Sequence, residues 1–182
     1  MNISVIGAGY VGLITGIGFA KLNHQVSIVD LNDDLIKNLN ENRPPFYEPE
    51  LVDYLNDSNI RNNLFFSTSY QKSINENTDI VFVCVQTPTD PDTGKTKTDY
   101  ISSVLTELKK IESFNFIICI KSTIKATLVE KISNEIDLDY KKIIFNPEFL
   151  REGSAFYDFF NPDRIVIGGS DQKGLNQCTE LY

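Results

Sequence analysis

The chain has 182 residues, of which 41% are hydrophobic and 23% are charged, and its formal net charge is −8. This length is enough for one domain with a hydrophobic core, and the composition is that of an ordinary globular protein. The negative charge argues against partners held by bulk electrostatics, namely nucleic acid and anionic membrane surfaces. It leaves open a phosphorylated small molecule, because backbone N–H groups and helix N-termini can hold such ligands.

The sequence indicates neither a membrane span nor a targeting segment. No stretch reaches the roughly 18 apolar residues of a span. The first apolar run begins almost at Met1, which leaves no room for a signal or transit peptide. Three cysteines cannot all pair within the chain, and Cys84 and Cys119 lie in apolar runs. We therefore expect buried, reduced cysteines and a cytoplasmic location; no metal site is predicted.

Short apolar runs alternate along the whole chain with longer segments of helical character. The runs are continuous rather than alternating in polarity, as expected for parallel strands buried on both faces. We predict an α/β fold in a single domain over 1–182: a doubly wound, mainly parallel Rossmann-type sheet with helices on both faces. Pro49 is expected in the first turn of its helix. Strands are predicted at 3–7, 25–30, 64–68, 79–85, 114–120, 141–145 and 164–169, and helices at 11–22, 32–41, 49–57, 100–111 and 125–135.

The segment after the first run, GAGYVG, has the spacing of a dinucleotide-binding turn. Gly7 would make the tight turn out of the strand, Gly9 would let the backbone approach a pyrophosphate, and Gly12 would let the helix pack closely on the strand. The second strand then ends in Asp30, where this motif has an acid for the ribose hydroxyls. Together these residues predict a dinucleotide at the helix N-terminus; a non-binding glycine turn is the alternative.

Asp30 also predicts which dinucleotide binds. A carboxylate would repel the 2′-phosphate of NADP, and no basic residue follows it until Lys37, so NAD is favoured. The alternative is that Asp30 caps the next helix. Asn23 fits a helix C-cap, and the only histidine, His24, is then expected at a surface turn. Any general acid or base must therefore be Glu, Asp, Lys, Tyr or a bound water.

Polar residues follow the fourth, fifth and sixth predicted strands, at the sheet edge where ligands bind in such folds. Val85–Thr89 would meet the middle of the cofactor, and Ser122 and Thr123 offer hydroxyls where the nicotinamide should lie. Glu148 and Glu152 follow the sixth strand. The alternative for the serine–threonine pair is capping of the next helix. Three polar strand ends that converge on one crevice favour a functional role for all of them.

Five segments resemble the UDP-glucose/GDP-mannose dehydrogenase family, and the resemblance covers essentially the whole chain. The last and longest is more similar to the UDP-glucose branch than to the UDP-N-acetylmannosamine branch, and GDP-mannose enzymes come closer. The resemblance implies oxidation of the sugar C6 alcohol to a carboxylate with two NAD, leaving UDP-glucuronate. The segments are GAGYVGL, YEPEL, VQTPTD, KST and NPEFLREGSAFYDFFNPDRIVIGG.

The resemblance also implies roles for individual residues. Glu148 would be an acid/base group in thioester hydrolysis, Thr123 would help to hold a catalytic water, and Glu152, also a member of the catalytic set, would touch the cofactor. The nucleotide sugar would contact, partly through backbone, Glu148, Phe149, Leu150, Arg151 and Glu152. NAD would contact Gly7, Ala8, Gly9, Tyr10, Val11, Gly12, Asp30, Val85, Gln86, Thr87, Pro88, Thr89, Ser122, Thr123, Ile124 and Glu152.

The chain departs from the family pattern in two places. Leu35 stands where the family often has a basic residue, which implies one cofactor contact fewer. After KST, the sequence IKAT lacks the proline and glycine of many members, which implies an altered backbone near Thr123.

Family members continue through a long central helix, which carries a catalytic lysine and asparagine and most dimer contacts, into a second α/β domain with the nucleophilic cysteine. Because this chain ends at Tyr182, we expect the NAD-binding domain of such an enzyme, inactive alone, from a parent that is a homodimer or a higher oligomer. Cys178 is expected in a surface helix and not to replace the nucleophile. The alternatives are a GDP-mannose 6-dehydrogenase domain and a dinucleotide-binding module without catalysis.

Overall fold

A seven-stranded sheet forms the centre of the computed structural model, which describes residues 1–111 and 115–182. The strand order is β3-β2-β1-β4-β5-β6-β7, with β1 to β6 parallel and β7 antiparallel to β6. The predicted doubly wound α/β fold is therefore confirmed. The strands are β1 (Asn2–Ile6), β2 (Gln25–Val29), β3 (Leu64–Ser67), β4 (Ile80–Val83), β5 (Ile117–Ile120), β6 (Ile143–Phe145) and β7 (Gly168–Gly169).

Helices cover both faces of the sheet. The helices are α1 (Tyr10–Lys21), α2 (Asp33–Asn40), α3 (Leu51–Asn56), α4 (Ser58–Arg61), α5 (Tyr70–Ser73), α6 (Asp99–Lys110), α7 (Ala126–Glu135), α8 (Ala155–Phe160) and α9 (Gln172–Glu180), with a 3₁₀ turn at Tyr140–Lys142. Across the described part of the chain, none of them has the length and apolar character that crossing a membrane requires.

The core has two parts, one on each face of the sheet. Ile80 and Phe82 of β4 pack with α1, α3 and α8 on one face, whereas Val81 and Val83 of the same strand pack with α6 and α7 on the other. Since successive side chains of a strand point to opposite faces, a strand buried on both faces reads as a continuous apolar run. Burial of β4 on both faces explains why the sequence at 79–85 is a nearly continuous apolar run.

The last predicted strand, 164–169, is much shorter in the structure than predicted. Only Gly168 and Gly169 pair with β6, and they do so antiparallel, while Ile165 and Val166 are partly exposed. The Val166 carbonyl instead accepts a hydrogen bond of 2.8 Å from the side chain of Asn146. β6 has only three residues, which limits the length of the edge strand beside it.

Two helix boundaries show how local backbone decides where helices begin and end. Pro49 was predicted in a first helical turn, but α3 begins at Leu51, and Glu50 before it has a left-handed backbone with φ 67°. Asn23 follows α1 with φ 65°, in agreement with its predicted C-cap role.

His24 is half-buried rather than a surface residue, and its Nδ1 lies 3.1 Å from the Met1 amino group. Phe114, the first residue of the predicted fifth strand, lies outside the described residues.

Candidate functional site

The turn between β1 and α1 has the geometry of a phosphate-binding loop. Gly7 has φ 100°, and its N–H donates to the Val29 carbonyl at 2.7 Å. A Cβ at Gly7 would lie 2.7 Å from the Cys84 carbonyl oxygen. The turn thus runs against the end of β4 in a conformation that favours glycine.

The other two glycines of the motif differ in what surrounds them. A Cβ at Gly12 would lie 1.8 Å from the Gly7 carbonyl oxygen, so the helix contacts the turn directly. Gly9 is the N-cap residue of α1. A Cβ at Gly9 would meet no atom within 4 Å, so the space in front of the N-terminus of α1 is open. Free N–H groups and the positive dipole end of α1 face that space, and the residues present therefore fit a dinucleotide pyrophosphate.

Asp30 lies beside this turn, directly after β2. Its Oδ2 accepts a hydrogen bond of 2.9 Å from the Ala8 N–H, and its Oδ1 accepts one of 3.0 Å from the Asn32 N–H. The side chain that caps α2 is Asn32, which accepts from the Leu35 N–H, so the capping role considered for Asp30 is wrong. The Asp30 carboxylate is half-buried at the cleft wall, where it can accept hydrogen bonds from a ribose.

A cleft of about 360 Å³ extends from the glycine turn past Asp30. Val85 and Gln86, after β4, also line it. Its remaining lining is largely apolar and aromatic and includes Leu31, Leu35, Tyr70, Tyr100 and Val104. Leu35, where the family resemblance has a basic residue, thus contributes packing surface for a flat apolar ring rather than a charge.

The ends of β4 and β5 are joined by side-chain hydroxyls. Ser122 Oγ donates to the Val85 carbonyl at 2.6 Å, and Thr87 Oγ1 donates to the Thr123 carbonyl at 2.8 Å. α7 begins after Lys125 without a side-chain cap, so Ser122 and Thr123 do not cap it. Thr123 is exposed at this edge, and Ile124 is partly buried. The structure therefore brings these residues to one sheet edge.

The segment 88–97 forms a small hairpin beyond the end of β4. Thr89 pairs antiparallel with Thr96, and the Pro88 carbonyl accepts from the Lys97 N–H at 2.8 Å. An ion pair of 3.4 Å between Lys97 and Asp90 closes it. Thr87 and Pro88 therefore stand at the root of the hairpin, and Thr89 belongs to it.

A second cleft of about 280 Å³ opens beyond β6. Of the five predicted sugar-contact residues, four line it, namely Glu148, Phe149, Leu150 and Arg151. Glu148 is half-buried, and its Oε2 accepts a hydrogen bond of 2.8 Å from the Leu150 N–H. Glu152 is exposed and lines neither this cleft nor the cleft beside Asp30. The two carboxylates therefore face different surroundings.

Arg151 is fixed by an acid of the following helix. Asp158 accepts hydrogen bonds from the Arg151 backbone N–H at 2.9 Å, from Nε at 3.0 Å and from Nη2 at 2.6 Å. The Arg151 guanidinium beside Asp158 lowers the pKa of that carboxyl to about 2. The arginine side chain remains largely exposed on the cleft wall, where a cation can meet a phosphate.

A buried lysine at the end of β5 was missed by the sequence analysis. Lys121 lines the second cleft, is 5% exposed, and donates to Asn146 Oδ1 at 3.1 Å. The Tyr182 hydroxyl lies 3.2 Å from Lys121 Nζ and donates to the same Asn146 oxygen at 2.7 Å. Burial lowers the pKa of the Lys121 ammonium group. The signal in the sequence was a lysine directly after the apolar run FIICI.

Glu48 was also missed, although its segment YEPEL carried the family resemblance. Its side chain is 3% exposed and accepts hydrogen bonds from the Tyr10 hydroxyl and from the N–H groups of Gly153 and Ala155. Burial opposes ionisation, but these hydrogen bonds outweigh it and hold the pKa of Glu48 below its usual value. Tyr10 thus directs its side chain to Glu48, while its backbone belongs to the glycine turn.

All three cysteines are free and buried. Burial raises the pKa of the Cys84 thiol to about 12, and burial together with a hydrogen bond to Cys178 raises that of Cys119. Cys178 is 1% exposed, as expected for a buried cysteine, because it lies on the side of the predicted surface helix α9 that faces the sheet. Cys84 and Cys119 therefore stay protonated and poorly nucleophilic.

Two UDP-glucose 6-dehydrogenases are similar in sequence to this chain over its whole length. UDP-glucose 6-dehydrogenase YwqF of Bacillus subtilis is 35% identical, and UDP-glucose 6-dehydrogenase of Rhizobium meliloti is 37% identical, each over 100% of this chain. The chain covers 42% and 43% of these two relatives, so it spans less than half of their length.

Solved structures of two dehydrogenases have the same fold. GDP-mannose dehydrogenase from Pseudomonas aeruginosa, in a ternary complex, superposes with a TM-score of 0.91 at 27% identity, over 100% of this chain and 44% of that one. UDP-glucose dehydrogenase from Pyrobaculum islandicum superposes with a TM-score of 0.87 at 34% identity, over 99% and 43%. The family model for the NAD-binding domain matches residues 1–182. The chain therefore belongs to the UDP-glucose/GDP-mannose dehydrogenase family and is its NAD-binding domain.

Proposed function

We propose that this domain serves the NAD-dependent oxidation of the C6 alcohol of a nucleotide sugar, UDP-glucose, to a carboxylate. The observation that carries the proposal is the presence of two clefts at the carboxyl ends of the parallel strands. One has an open glycine turn and Asp30, and the other has Glu148 and Arg151. The first fits NAD, and the second offers a carboxylate and a cation to a phosphorylated sugar.

In this proposal NAD would be held by the turn Gly7–Gly12 at its pyrophosphate and by Asp30 at its adenosine ribose. Val85–Thr89, Ser122–Ile124 and Glu152 would contact its remaining length. When bound, NAD accepts a hydride from the sugar carbon. The apolar wall with Leu35 would pack against the adenine.

The groups of the second cleft would act on the sugar. Glu148, half-buried and within a hydrogen-bonded loop, would transfer a proton at the substrate oxygen, and Thr123 would orient a water. Arg151, fixed by Asp158, would face a phosphate of the nucleotide. Glu152 would act from its exposed position beside the cofactor and so belong to the catalytic set only once NAD is bound.

Relatives named UDP-glucose 6-dehydrogenase at 35–37% identity support UDP-glucose as the substrate. A specific observation favours a second candidate, a GDP-mannose dehydrogenase domain. The structure of such an enzyme superposes with a TM-score of 0.91. The parent protein is proposed to be a homo-oligomer located in the cytoplasm.

The test is a titration of the NAD-saturated chain with UDP-glucose and with GDP-mannose, followed by amide chemical shifts. We expect UDP-glucose to shift the amides of Glu148–Glu152 at the lower concentration. Shifts at those amides with GDP-mannose at the lower concentration would select the second candidate. Shifts confined to residues outside both clefts would contradict a nucleotide-sugar role for this edge.

A further inference from the structure

A buried carboxylate links the start of α1 to the loop that follows Glu152. Glu48 Oε2 accepts hydrogen bonds of 2.8 Å from the Tyr10 hydroxyl and 2.8 Å from the Gly153 N–H, and Oε1 accepts one of 2.9 Å from the Ala155 N–H. The described residues provide no lysine or arginine ion pair to it. A charged group that is 3% exposed is tolerated only because hydrogen bonds replace its water.

The three donors come from two functional segments that lie far apart in the sequence. Tyr10 is the first residue of α1, directly after the open position Gly9 of the glycine turn. Gly153 and Ala155 follow Glu152 and lead into α8. Glu48 itself comes from the proline-containing connection between α2 and α3, so a third segment of the chain links the starts of α1 and α8.

The tyrosine is held in place from both sides. Its ring contacts Phe46 with 5.1 Å between centroids, and its hydroxyl oxygen lies 3.2 Å from the Arg151 carbonyl oxygen. Burial and the hydrogen bond to Glu48 raise the pKa of Tyr10, so the hydroxyl remains a donor at neutral pH. The glycine turn thus reaches the loop at 151–155 through one tyrosine and one carboxylate.

A simpler role for Glu48 would be to cap α8. Ser154, the N-cap residue of that helix, makes no side-chain cap hydrogen bond, and Glu48 supplies an acceptor to Ala155 instead. Capping alone needs neither the bond to Gly153 nor the bond from Tyr10. Gly153 has φ 86°, so the turn that contains it and follows Glu152 is specified by conformation as well as by Glu48.

We propose that Glu48 is a positioning residue that couples the glycine turn to the loop 148–155, so that NAD bound at the turn also orders the segment that carries Glu148 and Glu152. The inference rests on the proposed function in taking that loop as part of the substrate cleft. Because coupling between two sites is reciprocal, order in the loop also strengthens NAD binding.

The experiment measures amide hydrogen exchange at Gly153 and Ala155, with and without NAD, together with NAD affinity by calorimetry. Three variants of the 182-residue chain are compared with the unchanged chain: Glu48→Gln, Tyr10→Phe and Glu50→Gln. The last is the matched control, since Glu50 also accepts from a tyrosine hydroxyl, that of Tyr54 at 2.6 Å, but on the exposed surface.

In the unchanged chain and in Glu50→Gln we expect NAD to slow exchange at both amides. In Glu48→Gln a carboxamide offers one acceptor oxygen in place of two, so exchange should be about tenfold faster or more, and NAD should bind about three- to tenfold more weakly. In Tyr10→Phe the loop keeps its bonds to Glu48, so basal exchange should stay within about twofold, but slowing by NAD should be lost.

Two results would overturn the proposal. Exchange in Glu48→Gln at the rate of the unchanged chain would show that the carboxylate does not anchor the loop. Full slowing by NAD in Tyr10→Phe would show that Glu48 only caps α8; this variant decides the matter even if Glu48→Gln does not fold. If the unchanged chain bound no NAD, the proposed function would fail and the coupling with it, whereas the exchange rates without NAD would still report the anchoring by Glu48 separately.

Discussion

Asp30 accepts a hydrogen bond of 2.9 Å from the backbone N–H of Ala8, so the acid after β2 is tied directly to the glycine turn after β1. The carboxylate that is expected to bind the ribose thereby also fixes the loop that is expected to bind the pyrophosphate. One residue thus orients two adjoining parts of the proposed cofactor site.

Replacement of Asp30 by alanine should therefore weaken NAD binding strongly. A hydrogen bond to a charged group contributes about 1.5–3 kcal/mol, which predicts a loss of about tenfold or more in affinity. Calorimetric titration measures it. Asp33→Ala, which removes an exposed acid from the first turn of α2, should bind NAD as the unchanged chain does. Equal affinities of the two variants would contradict a ribose contact by Asp30.

Alanine substitutions at Gly9 and Gly12 should have different effects: the first should lower NAD affinity, and the second should lower the free energy of unfolding. Gly12→Ala places a Cβ against the Gly7 carbonyl oxygen and should destabilise the fold by about 1–3 kcal/mol, measured by denaturant unfolding. Gly9→Ala meets open space at φ −70° and should unfold within about 0.5 kcal/mol of the unchanged chain. Its added methyl group stands where a pyrophosphate must approach the backbone, so NAD affinity should fall. Unimpaired NAD binding by Gly9→Ala would place the phosphates elsewhere.

Glu48 should make the stability of the domain depend on pH in the acid range. The folded pKa lies below the usual value of 4.5, so the stabilisation is fully present above about pH 4.5 and is lost as the pH falls through the folded pKa. The free energy of unfolding of the unchanged chain should exceed that of Glu48→Gln at neutral pH, and the gap should narrow in acid. Asp158, which opposes the ionisation of Glu48, has a pKa of about 2 and stays ionised in both chains over the range in which the usual carboxyl titrates. A gap that stayed constant or widened in acid would be inconsistent with an ionised Glu48.

Lys121 should make the stability of the domain depend on pH in the alkaline range, also with stability rising as the pH rises. Burial lowers its pKa from the usual 10.5, so the unfolded chain binds its proton more tightly than the folded chain does. Stability from this residue therefore rises as the pH increases through the folded pKa towards 10.5. Relative to Lys121→Met, the unchanged chain should gain stability as the pH rises through the alkaline range towards 10.5. The same comparison with Lys125→Met, at an exposed lysine, is the control. A stability difference between the unchanged chain and Lys121→Met that did not vary with pH would contradict a buried ammonium group with a lowered pKa.

The conformation of the glycine turn could be predicted because its signals are local. The turn Gly7–Gly12 and Asp30 lie on consecutive elements. A Cβ added at Gly12 or at Gly7 would lie only 1.8 Å or 2.7 Å from a carbonyl oxygen, so both positions require glycine. The mainly parallel sheet could be predicted as well, because apolar runs such as that of β4 indicate strands buried on both faces.

The network around the second cleft could not be predicted, because it depends on pairs distant in sequence. Glu48 meets Gly153 across 105 positions, and Lys121 meets Tyr182 across 61. No periodicity or spacing encodes such contacts. The antiparallel pairing of Gly168–Gly169 was not predicted for a related reason: it depends on how the last segment returns to β6.

The most direct test of the central claim, an NAD site formed by the glycine turn and Asp30, is one calorimetric comparison of NAD and NADP with the unchanged chain. The Asp30 carboxylate would repel a 2′-phosphate, and Leu35 supplies no cation to offset that repulsion. The account predicts that NAD binds at least about tenfold more tightly than NADP. Equal affinity for the two dinucleotides, or tighter binding of NADP, would contradict it.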